Sequence, residues 1–332
     1  MSAHRLRRVR ARAARLRGTV LNLIVAASVA GPVSVAARPQ AVPAPVPAPV
    51  TPLRALPHDL DVRYAAAREG ILAAERVAAR RGDLWRAARL RDMAVPGRRF
   101  LFFDGRDGGR AAEVFGDLAT ATRIAIVVPG SDTNLDKYGH LHGGSLRLRD
   151  ELGGRSAVIA WLGYRTPATA TLAVLTPDLA EAGARALRAF VRELRAARPG
   201  ARISLLCHSY GAAVCGRAAP GLDGSGLDVS AIVFAGAPGA AVDDAAGLRT
   251  RAEVWAGRGT RDWIAHLPHA LIRMPFATFG LGADPVSPAF GARIFAAGDG
   301  GHSDYLRAGS LSLRTIARIL SGRAPLRAVG GA

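Results

Sequence analysis

Ser209 lies at a point where a predicted strand turns abruptly into a predicted helix. The run "RISLLC" at 202–207 is typical of a buried strand, and the small-residue run "GAAVCGRAA" at 211–219 favours a helix. A chain that passes from strand to helix through a tight turn presents one side chain at the corner, as in a nucleophile elbow. The hydroxyl of Ser209 is therefore a candidate nucleophile.

Small residues are needed around such a serine because helix and strand approach closely there. In the pentad "CHSYG", Gly211 is one of the two usual glycines, and Cys207 occupies the position of the other. A second cysteine, Cys215, follows inside the predicted helix. The two cysteines form either a disulfide, whose geometry is narrow, or two free buried thiols, and both possibilities stay open.

A serine hydroxyl needs a base to take its proton, and a histidine base needs a third group to hold its tautomer. His302, in "GDGGHSDYL", follows the apolar run "RIFAA" in a polar, glycine-rich loop and is the predicted base. His208 is adjacent to the serine, and adjacent side chains diverge, which makes it a poor candidate.

The predicted acid is Asp262, which follows the apolar run "AEVWAG" after a short loop. A position after the carboxyl end of a strand favours it. Asp284 is the competing candidate, while Asp243 and Asp244 follow the preceding strand closely.

Acyl transfer also needs N–H donors directed at the developing oxyanion. The backbone N–H of Tyr210 is one predicted donor. The backbone N–H of Ser131, in the loop "VVPGSDTNL", is the other.

This chemistry needs no metal and no organic cofactor. Two further histidines, His140 and His142 in "YGHLHGG", have no carboxylate or cysteine at the spacing of a metal site. We therefore predict no metal or cofactor site.

The candidate residues lie among continuous apolar runs that are separated by helical stretches. Strands of this kind are buried on both faces, as in a parallel sheet covered by helices. A turn-rich segment, "RRFLFFDGRDGGRAAEVFGD", predicts an antiparallel hairpin before them. Thr176 and Pro177 predict the start of a long helix that ends at Pro199–Gly200. The predicted strands are 123–130, 156–164, 202–207, 230–239 and 252–259.

The amino-terminal part of the chain predicts export. Arginines precede an apolar stretch at 19–37 that ends in small residues, the order found in a signal peptide, although a retained membrane anchor has the same order. We divide the chain into a signal peptide or anchor (1–37), an Ala/Pro-rich linker (38–57), amino-terminal helices (58–97) and a catalytic domain (98–325). The predicted location is secreted or in the cell envelope.

The net charge of +19 is almost wholly due to arginine, because Lys137 is the only lysine. The arginines are scattered over predicted helices, and aromatic residues make up only 6% of the chain. A nucleic-acid binder would gather its cations and aromatics on one element, so nucleic acid is not a predicted partner.

With these features in order, residues 100–320 resemble an α/β-hydrolase, and more narrowly an actinobacterial family long filed as a domain of unknown function. The segments that carry the resemblance are "VPGSDTNL", "CHSYGA", "RDWIAHLP" and "FGARIFAAGDGGHSDYL". The resemblance implies a mostly parallel sheet with an antiparallel amino-terminal hairpin and helices on both faces. It also implies a Ser209, Asp262 and His302 triad.

The predicted function is an exported serine hydrolase that cleaves small or medium carboxylic esters through an acyl-enzyme. Two further possibilities stay open, because fold and triad do not settle the reaction. One is a catalytically silent envelope or binding module, and the other is a peptidase or acyltransferase with the same triad.

Overall fold

The computed structural model describes residues 43–47, 52–174, 176–222, 228–267, 269, 271–274 and 277–326. The predicted signal peptide or anchor at 1–37 lies outside these residues, and so do 38–42 and 48–51 of the linker. Within the described parts of the chain, no helix is both long enough and apolar enough to cross a bilayer.

Six α-helices and ten strands are present among the described residues. The helices are α1 (Pro57–Arg80), α2 (Leu84–Met93), α3 (Gly139–Leu152), α4 (Asp178–Ala197), α5 (Gly211–Ala218) and α6 (Leu311–Leu320). The strands are β1 (Arg99–Asp104), β2 (Arg110–Phe115), β3 (Arg123–Val128), β4 (Ser156–Leu162), β5 (Arg202–His208), β6 (Ala231–Ala235), β7 (Glu253–Gly257), β8 (Leu271–Met274), β9 (Ala277–Gly280) and β10 (Arg293–Ile294).

The main sheet has eight strands in the order β1-β2-β4-β3-β5-β6-β7-β10. The hairpin β1–β2 is antiparallel and joins β4 in antiparallel register, whereas the strands from β4 to β10 in this order are parallel. Strands β8 and β9 form a separate antiparallel pair, which lies between β7 and β10 along the chain. The predicted mostly parallel sheet with an amino-terminal hairpin is confirmed.

Apolar side chains cover both faces of this sheet, as the unalternating apolar runs predict. Strand β4 is buried at every position. One core cluster joins the sheet to α4 and α5, including Trp161 and Phe190. The other joins it to α1, α2, α3 and α6, including Ile71 and Ile316. Helices therefore lie on both faces, as predicted.

Two buried arginines attach the amino-terminal helices to the sheet. Arg63 on α1 donates from Nε to the carbonyl oxygen of Leu101 at 2.8 Å. Arg86 on α2 pairs with Asp136 at 2.6 Å and donates to the carbonyl oxygen of Gly105 at 3.1 Å. These arginines satisfy buried carbonyl groups of the hairpin as well as forming ion pairs.

Several boundaries differ from the sequence prediction: β3, β4, β6 and β7 are shorter than predicted, and β5 is one residue longer. Helix α4 begins at Asp178, and the hydroxyl of Thr176 donates back to the carbonyl oxygen of Ala173 at 3.3 Å instead of capping the helix. The last strand of the main sheet covers only Arg293–Ile294 of the run "RIFAA". Beyond this strand the chain continues to the glycine-rich loop that carries His302.

A buried ion cluster joins the hairpin to helix α3. Glu113 on β2, only 1% exposed, accepts two hydrogen bonds from Arg98, at 2.6 and 2.7 Å, and one from His142 Nδ1 at 2.9 Å. Burial opposes ionisation of Glu113, but the hydrogen bonds from His142 and Arg98 outweigh it and lower its pKa. Glu113 is therefore ionised in the folded protein at neutral pH.

We expect Glu113→Gln to lower the free energy of unfolding by about 3 kcal/mol at pH 7, because it leaves the Arg98 guanidinium without its buried counter-charge. The carboxylate's stabilisation is present above the ordinary glutamate pKa and is lost as pH falls through the lowered pKa of the folded state. The difference in free energy of unfolding between wild type and Glu113→Gln should therefore be smaller at pH 3 than at pH 7. Urea unfolding at the two pH values measures it.

Glu253→Gln is the matched control, because Glu253 pairs with Arg293 on the surface, where both side chains are exposed. Its effect on the free energy of unfolding should be small at both pH values. Equal effects of the two substitutions at pH 7 would contradict the buried-cluster account.

Candidate active site

The predicted nucleophile lies at the corner between β5 and α5. Ser209 has a φ of +54°, a left-handed conformation that a non-glycine residue rarely adopts. Its own N–H donates to the carbonyl oxygen of Ala235 at the end of the neighbouring strand β6, at 3.1 Å. The strained backbone of Ser209 is thus held in place by the sheet itself.

Two glycines allow the chain to pack closely around this corner. A Cβ on Gly211 would lie 2.5 Å from the carbonyl oxygen of Val128 and 2.7 Å from that of Pro129. A Cβ on Gly130 would lie 2.5 Å from the Cβ of Ser209. Gly211 therefore lets α5 approach β3, and Gly130 lets the loop after β3 contact the serine.

Cys207 and Cys215 form a disulfide, so the possibility of two free thiols is wrong. Both residues are buried, one in β5 and the other in α5. The bond spans the corner residue Ser209 from strand to helix. The cysteine at the usual glycine position thus provides a covalent link across the turn.

The structure brings the three predicted side chains into one hydrogen-bonded chain. The Ser209 Oγ and His302 Nε2 atoms lie 2.9 Å apart. His302 Nδ1 lies 2.9 Å from Oδ1 and 3.1 Å from Oδ2 of Asp262. With Nδ1 donating to the carboxylate, Nε2 is left to accept the serine proton. This arrangement can convert a serine hydroxyl into a nucleophile.

The carboxylate of Asp262 is buried, with 1% of the residue exposed. Besides His302, the backbone N–H of Ile264 donates to it at 3.0 Å and the Tyr305 hydroxyl at 2.5 Å. Burial opposes its ionisation, but these three donors outweigh burial and the pKa of Asp262 is lowered. A fixed negative charge therefore faces the imidazole.

Tyr305 is a member of this network to which the sequence analysis assigned no role. Its hydroxyl donates to Asp262 and accepts from the N–H of Gly259 at 3.1 Å. Burial, together with the Asp262 contact, raises the pKa of Tyr305. The available signal was its position three residues after His302, in "GHSDY". That spacing alone does not show that the hydroxyl reaches a carboxylate brought in by another loop.

The competing acid, Asp284, lies in a separate interaction. Its carboxylate pairs with Arg258 at 3.0 Å and accepts the N–H of Val286 at 3.1 Å. Asp244 accepts the N–H of Gly247 at 2.8 Å. The carboxylate that contacts His302 is that of Asp262.

His208 contacts the histidine loop and not the serine hydroxyl. Its Nε2–H donates to the backbone carbonyl oxygen of His302 at 2.7 Å, and the two ring centroids are 4.8 Å apart. Burial, reinforced by the charge that His302 acquires on protonation, lowers the pKa of His208 to about 4. A neutral His208 therefore anchors the backbone that carries His302.

The two predicted oxyanion donors are near the serine in sequence or packing: Tyr210 directly follows Ser209, and Ser131 directly follows Gly130, which packs against Ser209. The N–H groups of Tyr210 and Ser131 donate to no other residue within the described parts of the chain. In contrast, the N–H of Asp132 is occupied by the carbonyl oxygen of Pro167 at 2.9 Å. The N–H groups of Tyr210 and Ser131 thus remain able to donate to a ligand oxygen.

The loop that carries Ser131 is held by contacts from the segment after β4. Tyr164 donates its hydroxyl to the carbonyl oxygen of Pro129 at 2.7 Å. The Asp132 carboxylate accepts the Thr169 hydroxyl at 2.5 Å. These contacts hold the loop in one conformation, which reduces the cost of organising it during a reaction.

Comparison with known proteins identifies one family. The profile of a family described as "Alpha/beta hydrolase" matches residues 104–271, which is half of the chain. The matched range contains Ser209 and Asp262, and His302 lies beyond it.

The chain is also similar to two curated relatives, "Uncharacterized protein MT2140" and "Uncharacterized protein Rv2079", from two strains of Mycobacterium tuberculosis. Each is 30% identical over 264 residues, covering 70% of this chain and 39% of the relative. The chain therefore spans about two fifths of the length of these relatives.

Solved structures similar to this chain include XC6422 from Xanthomonas campestris, described as an α/β serine hydrolase without lid. It is 20% identical, covers 70% of this chain and 98% of its own, and has a TM-score of 0.43. A predicted CIB-like hydrolase from Thermoplasma acidophilum is 13% identical, covers 68% and 97%, and has a TM-score of 0.40.

Replacing both Cys207 and Cys215 by serine should lower the free energy of unfolding by about 2–3 kcal/mol. The disulfide joins residues that are 8 positions apart, and without it this loop no longer restricts the unfolded chain. Urea unfolding measures this difference. Alkylation of the unfolded, unreduced protein should detect no free thiol, and two alkylated cysteines per chain would contradict the disulfide.

We expect Tyr305→Phe to slow the reaction of Ser209 with a fluorophosphonate probe about tenfold, because Asp262 loses a donor and holds His302 less firmly. The labelling rate is measured below the melting temperature of both proteins. Tyr138→Phe is the matched control, since Tyr138 is also buried but its hydroxyl lies near the carbonyl oxygen of Ala160 at 3.5 Å. Equal labelling rates for Tyr305→Phe and wild type would rule out a positioning role for Tyr305.

Proposed function

The chain belongs to the alpha/beta hydrolase family, and on this basis we propose that it is a serine hydrolase that cleaves carboxylic esters. Ser209 is the proposed nucleophile, His302 the general base and Asp262 the acid that orients the base. The single observation that carries the proposal is the 2.9 Å distance between Ser209 Oγ and His302 Nε2, at a serine with a φ of +54°.

Acylation begins when Ser209 Oγ attacks the carbonyl carbon of the ester and transfers its proton to His302 Nε2. The carbonyl oxygen becomes an oxyanion, which accepts hydrogen bonds from the backbone N–H groups of Tyr210 and Ser131. When the carbon–oxygen bond to the alcohol breaks, His302 gives its proton to the departing oxygen. The products are a free alcohol and an acyl group on Ser209.

Deacylation repeats these steps with water. His302 Nε2 takes a proton from water, whose oxygen attacks the acyl carbon, and the same two N–H groups bind the second oxyanion. The bond to Ser209 Oγ then breaks, and Oγ recovers a proton from His302. A carboxylic acid leaves, and the enzyme returns to its starting state.

The charge on Asp262 supports this proton transfer. His302 becomes an imidazolium in both halves of the reaction, and an ionised carboxylate 2.9 Å from Nδ1 stabilises that cation. The lowered pKa of Asp262 keeps the carboxylate ionised throughout the neutral range. The proton therefore moves between Ser209, His302 and the substrate, and Asp262 remains charged.

We propose that the substrate is a small or medium ester and that the protein acts outside the cytoplasm. Export is supported by the arginine-rich, apolar amino-terminal sequence and by the Cys207–Cys215 disulfide, since disulfides persist in oxidising compartments. The amino-terminal segment is either cleaved or kept as a membrane attachment. A release assay that separates soluble from membrane-bound protein distinguishes these two cases.

A fluorophosphonate probe and p-nitrophenyl esters of graded chain length test the proposed reaction on the full chain. We expect wild type to be labelled and to hydrolyse the shorter esters, and Ser209→Ala to lose at least about 1,000-fold in hydrolysis and all labelling. Labelling measures the nucleophile, and release of p-nitrophenol measures turnover.

Ser321→Ala is the control for the serine substitution. Ser321 donates to Ala317 at the end of α6, and its neighbour Gly322 lies against Arg202, at the opposite end of β5 from Ser209. This variant should behave as wild type. Absence of labelling in every protein would instead support a silent binding module. Labelling with peptide cleavage in place of ester hydrolysis would support a peptidase, and labelling with acyl transfer would support an acyltransferase.

A further inference from the structure

An exposed tryptophan lies beside the proposed base. Trp263 directly follows Asp262 and begins the short 3-10 helix Trp263–His266. Its ring centroid is 5.0 Å from that of His302, and 45% of the residue is exposed. A large apolar surface therefore lies next to the imidazole that exchanges protons with the substrate.

The position of this ring is set by the same residue that holds His302. The Asp262 carboxylate caps the short helix by accepting the N–H of Ile264 at 3.0 Å, and it accepts His302 Nδ1–H as well. One carboxylate thus orients both the imidazole and the start of the helix that carries Trp263. The position of the indole relative to the imidazole of His302 is therefore fixed by Asp262.

The two aromatic neighbours of His302 differ in their exposure to solvent. His208 packs against the imidazole at 4.8 Å, is only partly exposed and hydrogen-bonds to the His302 backbone. Trp263 packs against it at 5.0 Å and is exposed. His208 thus holds the His302 loop in place, whereas the exposed face of Trp263 is accessible to a ligand from solvent.

The proposed reaction decides which part of a substrate would approach Trp263. His302 Nε2 gives its proton to the alcohol oxygen of the ester, so that oxygen must come within about 3 Å of Nε2. A group attached to this oxygen extends beyond the imidazole. An indole whose centroid is 5.0 Å from the imidazole centroid is within reach of such a group.

We propose that Trp263 is a specificity-determining residue that binds an aromatic or extended apolar group on the alcohol side of the ester. This inference rests on the proposed function and adds the substrate class: esters of aromatic or bulky apolar alcohols. Contact with the indole lowers the energy of the transition state through dispersion and desolvation of both apolar surfaces.

The surroundings of Trp263 favour an uncharged group. Leu267, at the end of the same short helix, is a second exposed apolar side chain, at 38%. The cation of Arg261 is directed to Asp299, donating from Nε to its carbonyl oxygen at 2.5 Å and lying 3.5 Å from its carboxylate. The nearby positive charge is thus compensated within the protein.

Two esters with the same acyl group test the proposal on the full chain. Benzyl acetate and ethyl acetate release alcohols of similar acidity and form the same acetyl-enzyme, so differences between them report binding of the alcohol part. We expect Trp263→Ala to lower kcat/KM about tenfold for benzyl acetate and less than about twofold for ethyl acetate. Trp263→Phe should retain most of the preference for benzyl acetate.

Trp85→Ala is the matched control, because Trp85 is an exposed tryptophan on α2, with 55% exposure. It should leave both values of kcat/KM unchanged. Equal losses for the two esters in Trp263→Ala would overturn the proposal and show that Trp263 only shields His302 and Asp262 from water. No loss for either ester would overturn it as well.

Labelling by a small fluorophosphonate separates this proposal from the proposed function. Trp263→Ala should still be labelled by the small probe, since Ser209 and His302 are intact. If wild type is neither labelled nor able to cleave either ester, the proposed function fails and the role of Trp263 fails with it. If wild type is active without preferring benzyl acetate, only the role of Trp263 fails.

Discussion

The arrangement around Ser209 depends on a left-handed residue held at a strand-to-helix corner. A φ of +54° at a non-glycine residue costs free energy, so the surrounding chain must hold it. In the sheet, the Ala235 carbonyl oxygen accepts the N–H of Ser209. Close packing at Gly211 leaves the corner little room to relax, and the disulfide joins the strand to the helix. The consequence is a serine hydroxyl that lies 2.9 Å from an imidazole supplied by a distant loop.

That imidazole is fixed in turn by a polar network that is almost closed to solvent. Asp262 receives His302, Tyr305 and the Ile264 amide, and His208 secures the His302 backbone. These hydrogen bonds let a charged carboxylate persist inside the protein. The network ends at the hydroxyl of Ser209, where the proposed reaction takes place.

Much of this architecture could be predicted from local pattern, because unalternating apolar runs predict buried parallel strands and the ends of those strands meet at one edge of the sheet. The rest depends on how loops fold. Only the folded chain shows that Asp284 forms an ion pair with Arg258 and that Asp262 is the carboxylate beside His302. The disulfide needs a Cα separation and direction that spacing does not give, and the contacts of Tyr305 and His208 are made across loops far apart in sequence. The catalytic roles of Ser209, Asp262, His302, Tyr210 and Ser131 remain predictions.

The covalent role of Ser209 can be measured from the mass of the peptide that contains it, after a reaction with an ester is quenched in acid. We expect this peptide to gain the mass of the acyl group at early times, fragmentation to assign the added mass to Ser209, and His302→Ala to abolish the adduct. An adduct on a different residue, or turnover of the ester with no adduct on Ser209, would contradict the claim that Ser209 and His302 act together as nucleophile and base.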